Sequence, residues 1–90
     1  MPMTNMSDFR QRIDDIDRKI IELLSERFTV VREVGLFKRQ HGIPVMQPER
    51  VRSVLENRAL QAEQAGLSPE LVRQLWTLFI EEACRMEEAV

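Results

Sequence analysis

The residues of this chain with the most evident capacity for chemistry are two cations set into a hydrophobic stripe. Phe9, Ile13, Ile16, Ile20, Leu23, Val30, Val34 and Phe37 recur at steps of three and four, with one gap, which is the pattern of one buried helix face. Continuing from Ile13 and Ile20 by sevens reaches Arg27 before Val34, so a guanidinium falls where the pattern calls for a hydrophobe. A buried arginine is very costly unless it is paired. Lys38 follows eleven positions later and, at about 100° per residue, returns to within roughly 20° of Arg27. Val31 and Val34 lie between them. Two cations about 16 Å apart along the axis, over an apolar floor, suit a small anionic ligand with a hydrophobic body. The same pattern is satisfied if Arg27 pairs with Glu26, Glu81 or Glu82 and Lys38 is a solvated cation at the helix end.

Three further charges stand out by position. Glu87 continues the line Trp76, Ile80, Ala83 and so points a carboxylate at the interior, unless it is simply a solvated acid of the last turn beside Glu88. Arg50 falls in the first turn of a helix, where the dipole disfavours a cation. Arg10 stands about 25 Å up the helix from Arg27 and roughly 100° around it, too far to share one small ligand within a chain. An antiparallel pair of chains with its two-fold axis near residue 21 would bring Arg10 of one beside the Arg27 to Lys38 segment of the other.

The elements that must position these groups are three helices. The first runs from Ser7 to about Gln40, capped by Ser7 or by Asn5, with Asp8 complementing the dipole and Gly42-Ile43-Pro44 ending it. The second opens at Pro48 and runs to Gly66, and the third has Ser68 as N-cap and Pro69 at its first position, with Val72, Trp76, Phe79, Ala83 and Met86 on one face. No strand alternation or internal repeat is present. A helix of some 33 residues is roughly 50 Å long, whereas a compact chain of 90 residues has a diameter of about 30 Å. The first helix therefore overhangs its own domain, and the apolar overhang predicts cover by a second copy. The expected architecture is all-α, three helices per chain in an intertwined homodimer, with one domain over 1–90 and a flexible N-terminus over 1–6.

Composition narrows the functional classes. With 13 Lys+Arg against 15 Asp+Glu the net charge is −2, and the third helix carries Glu70, Glu81, Glu82, Glu87 and Glu88 against Arg73 and Arg85, a surface that repels phosphates. Nucleic acid is not an expected partner. One cysteine, Cys84, and one histidine, His41, provide neither an internal disulfide nor a zinc ligand set, and Cys84 reads as a small packed residue. No stretch reaches the roughly 20 apolar residues of a membrane span and no leader pattern is visible, so a cytoplasmic location is expected.

Several segments, taken in register, resemble one family. Arg10-x-x-Ile13-x-x-Ile16-Asp17, Leu23-Leu24-x-Glu26-Arg27, Val34-Gly35-x-x-Lys38, Pro44-Val45 and Glu49-Arg50 are similar to the all-helical class of chorismate mutases, over roughly Phe9 to Glu88. The resemblance implies an intertwined homodimer that catalyses the [3,3] rearrangement of chorismate, a small dicarboxylate, to prephenate without a cofactor. It implies that Arg27 clamps one carboxylate, that Arg10 of the partner subunit clamps the other, and that Lys38 contacts the ether oxygen. Arg50 would support a carboxylate, and Val34 belongs to the apolar wall. Glu87 stands where the family places a second donor to the ether oxygen, often Gln. A carboxylate there can donate only when it carries a proton, which implies higher activity on the acid side.

The chain departs from the common pattern around the ring substituent, with Gln47 and Val51 where an Asp and a Glu are typical and Ala83 where a small hydroxyl residue is frequent. Losing hydrogen-bonding acids there alters discrimination at that substituent. Two sister activities stay open beside chorismate mutase: the mutase of 4-amino-4-deoxychorismate, similar in Val45-Met46-Gln47-Pro48 and Cys84-Arg85-x-Glu87, and isochorismate pyruvate lyase, similar in Pro48-Glu49-Arg50-Val51. A non-enzymatic helical dimerisation or regulatory module is the alternative from another class.

Overall fold

The computed structural model describes residues 5–90. These form α1 (Met6–His41), α2 (Pro48–Gln64) and α3 (Pro69–Ala89), with no strand among the described residues, so the all-α expectation holds with boundaries within two residues of those read from the periodicity. Of the terminal segment expected to be flexible over 1–6, positions 1–4 lie outside the described residues, and Met6 opens α1. The chain divides into two compact units, Met1–Val30 and Val31–Val90.

In the first unit the helix start is fixed by Asn5 rather than Ser7. The Asp8 N–H donates to Asn5 Oδ1 at 3.1 Å and the Asn5 N–H donates to Asp8 Oδ2 at 3.3 Å, a reciprocal box that satisfies two of the otherwise unpaired donors of the first turn. Ser7 sits inside the helix. The apolar stripe that follows remains open to solvent in the single chain: Phe9, Ile13, Ile16, Ile20 and Leu23 are exposed, from 45% for Phe9 to 63% for Leu23. Contiguous exposed apolar runs of that size are characteristic of contact surfaces.

The second unit holds the last turns of α1, α2 and α3, with α2 packed along α3. Its buried core consists of Val54, Ala59, Ala62, Val72 and Ala83, small side chains that let two helices approach closely. Both helix ends that precede a loop close in the same manner. Gly42 and Gly66 take positive φ, 63° and 75°, a region open to glycine without a Cβ penalty. The next N–H then reaches back across the last turn, from Ile43 to the Lys38 carbonyl at 2.9 Å and from Leu67 to the Ala62 carbonyl at 2.8 Å. Apolar residues follow each glycine, as this kind of cap favours. At the start of α3 the Ser68 hydroxyl accepts the Leu71 N–H at 3.1 Å and Pro69 occupies the first helical position, as the sequence predicts. None of the helices is long and apolar enough to cross a membrane.

Candidate active site

Lys38 is the best-anchored cation of the second unit. Its carbonyl caps the end of α1 by accepting from Ile43, and its ammonium crosses the loop to donate to the Val45 carbonyl at 2.9 Å. One residue thus ties the Gly42 to Val45 loop at both ends. The side chain is 16% exposed, which overturns the reading of Lys38 as a solvated helix-end cation. Its ammonium also lies 2.7 Å from Glu87 Oε1 on α3. That approach is off the line of a hydrogen bond, since Oε1 makes none, so the two groups are held by charge. An ammonium has three N–H donors; one is on Val45, and capacity remains for an incoming oxygen.

Glu87 is 8% exposed at its side chain, so the alternative of a solvated last-turn acid also fails. Two features bring it there. Trp76, Ile80, Ala83 and Glu87 share the inward line of α3, with Ala83 buried and the others of that line partly so. And α1 presents Gly35, also buried, opposite the same turn: a Cβ built on Gly35 would meet Glu87 Cα at 2.9 Å and Val90 Cγ2 at 2.8 Å. The end of α3 is fastened further by Arg39 Nη1, which donates to the Val90 carbonyl.

Cys84 belongs to the same neighbourhood. Burial raises its thiol above the usual range, the Glu87 carboxylate adds to the rise and the Lys38 ammonium opposes it. A raised value means less thiolate at neutral pH than a free cysteine has. Iodoacetamide is therefore expected to alkylate Cys84 more slowly than it does glutathione at pH 7.5, with the rate climbing only above the ordinary thiol range. In Glu87→Gln the carboxylate that raises the thiol is gone while the opposing Lys38 charge stays, so alkylation at fixed pH speeds up; an unchanged rate would mean Cys84 does not sense Glu87.

The other sequence-predicted residues are placed as follows. Gln47 precedes α2, makes no side-chain cap, and donates from Nε2 to the Pro44 carbonyl at 3.3 Å. Arg50 is exposed in the first turn of α2, Val51 is half-buried, and Val34 is exposed at 37%. Arg10 and the half-buried Arg27 belong to the Met1–Val30 unit. Glu82 is engaged by Arg85 one turn along α3, which holds its carboxyl below the usual range.

The family profile described as "Chorismate mutase type II" matches residues 9–88. This chain belongs to the type II chorismate mutase family. Among curated relatives, the T-protein of Haemophilus influenzae is 40% identical over 81 residues, covering 90% of this chain and 22% of that protein. A 4-amino-4-deoxychorismate mutase of Streptomyces pristinaespiralis is 34% identical over 79 residues, 88% of this chain and 61% of that one. An isochorismate pyruvate lyase of Pseudomonas aeruginosa is 35% identical over 77 residues, 86% of this chain and 75% of that one. The chain thus spans about a fifth of the first relative and about three fifths of the second.

Membership of the type II chorismate mutases gives the Lys38 and Glu87 pair a chemical context. Two contributions to this geometry were not legible in the sequence. Val45 acts through its carbonyl, which any residue supplies and no side-chain pattern signals. Gly35 left one local trace, since glycine in a helix interior is unfavourable relative to alanine and so asks for a packing reason.

Proposed function

We propose that the chain is a chorismate mutase, converting chorismate to prephenate as a homodimer with two shared sites. In this rearrangement the ether C–O bond breaks as a new C–C bond forms, in one cyclic shift of electrons. No proton moves and no nucleophile is required. The protein must hold the enolpyruvyl arm over the ring and stabilise negative charge developing on the ether oxygen. Arg27 clamps one carboxylate, Arg10 of the partner subunit the other, and Arg50 supports that clamp. Val34, Val51 and Ala83 wall the ring, with Gln47 near its substituent. Lys38 donates to the ether oxygen and Glu87 stands beside it.

The observation that carries this reading is the part-buried Lys38 ammonium, held by the Val45 carbonyl and beside Glu87. A preoriented cation costs no reorganisation at the moment charge develops. The exposed stripe of α1 supports the dimer, because it leaves an apolar face for a second copy to cover.

The 4-amino-4-deoxychorismate reading is favoured by one specific observation: Gln47 and Val51 present no carboxylate to a ring substituent. Side-by-side kcat/KM values for chorismate, its 4-amino analogue and isochorismate separate the candidates. The expected order puts chorismate first, read as loss of its ultraviolet absorbance. A higher value for the amino analogue or release of pyruvate from isochorismate reassigns the substrate, and no turnover of any of the three at micromolar protein leaves the dimerisation module as the function.

A further inference from the structure

We propose that Gly35 is a positioning residue, whose missing side chain seats the Glu87 turn of α3 against α1 and so sets the reach between Glu87 and Lys38. The consequence for catalysis rests on the mutase reading; the seat itself does not.

The geometry leaves no room for a methyl group. A Cβ at Gly35 would stand 2.9 Å from Glu87 Cα, 3.2 Å from Glu87 Cγ and 2.8 Å from Val90 Cγ2. Val90 Cγ2 is the end of a side chain and can rotate, but Glu87 Cα is main chain, so relief there must come from moving the helix. Gly35 is one turn before Lys38 and Arg39 on α1, and those two residues reach the same turn of α3, Lys38 to Glu87 and Arg39 to the Val90 carbonyl. Three attachments therefore act on one short segment, and Gly35 is the one that sets its distance. Pushing the Glu87 main chain outward withdraws Oε1 from an ammonium that Val45 holds in place. The ammonium then loses the neighbour that helps to orient it toward an oxygen of a bound ligand. Displacements of about 1 Å at reacting groups can cost up to about 10²-fold in rate.

The test uses the full chain. Gly35→Ala is expected to lower kcat for chorismate at least about tenfold with KM within about threefold. The Lys38 and Glu87 coupling, measured by a double-mutant cycle of Lys38→Met and Glu87→Gln on unfolding without ligand, is expected to vanish when the cycle is repeated in the Gly35→Ala background. Adding Val90→Ala restores activity only in part, because the contact with Glu87 Cα persists. A kcat within twofold of wild type, or a coupling retained at its wild-type size, overturns the seat. If Gly35→Ala does not fold, Arg39→Gln releases the same segment without adding an atom, and the same two readouts decide: a lower kcat with reduced coupling supports the seat, and neither change overturns it. A wild-type protein inert toward chorismate ends the mutase reading instead, and the ligand-free coupling then decides the seat alone.

Discussion

Lys38→Met is expected to lower kcat/KM for chorismate by about 10³-fold, the scale of losing one preoriented donor from a developing oxyanion. A fall that large has two sources that must be kept apart. Glu87 and Lys38 are both largely withdrawn from solvent, and removing one member of such a pair costs up to about 3–5 kcal/mol by leaving the other charge uncompensated. Domains of this size hold about 5–15 kcal/mol in all, so the single variant will also melt at a distinctly lower temperature. Replacing both partners, Lys38→Met with Glu87→Leu, removes the stranded charge and is expected to regain most of the lost stability while remaining inactive. Thermal unfolding and chorismate decay on the same three proteins check this. Activity returning with stability would show that Lys38 serves the fold rather than the reaction. Glu87→Gln, which keeps a donor beside the ether oxygen at every pH, is expected to stay within about tenfold of wild type and to lose any preference for acid; an acid preference that survives assigns it to another group.

The second large effect concerns the sharing of sites between subunits. Arg10→Ala and Arg27→Ala are each expected to reduce kcat/KM about 10³-fold, because in the proposed site each would leave a substrate carboxylate without its charge-assisted partner. Mixed together after co-refolding, the two inactive proteins are expected to recover about a quarter of the wild-type activity. Half of the dimers are then mixed, and one of the two sites in each mixed dimer draws Arg27 from one chain and Arg10 from the other with both intact. Recovery no greater than the sum of the parents means that the two arginines do not meet across a subunit interface. The stripe of Phe9, Ile13, Ile16, Ile20 and Leu23, open in the single chain, is the surface that a second copy would cover in the proposed dimer. Ile16→Glu is the natural companion control, since a carboxylate on an apolar interface disfavours association.

Much of the fold was legible because its signals are local. The step of three and four in α1, Pro48 and Pro69 at helix starts, Ser68 as a cap and the two glycines at positive φ all act through bonds within one turn, which neighbouring residues alone can satisfy. The choice left open between two caps has the same local origin. Asn5 and Ser7 both lie before the periodic run, and Asn5 prevails because Asp8 stands three residues beyond it and completes the reciprocal box. The cations at Arg27 and Lys38 were legible as interruptions of a hydrophobic period, and the carboxylate at 87 as an extension of one.

By itself, then, the sequence determined the three helices, their caps, and which charges stand on inward lines. What it left open was which of those charges meet. Positions 38 and 87 belong to different helices, and whether their side chains touch depends on the phase and spacing of α3 against the last turns of α1. Periodicity fixes the face of a helix but not its height against a neighbour. The tertiary structure decided that through Gly35, which admits the Glu87 turn at contact distance, and through the loop that returns the Val45 carbonyl to Lys38. Buried charges raise the stakes of such placement, because desolvation makes an ion pair favourable only when its partner arrives within a few ångströms. The packing of the end of α1 against α3 is thus what brought a lysine on an apolar stripe and an inward acid together as a pair.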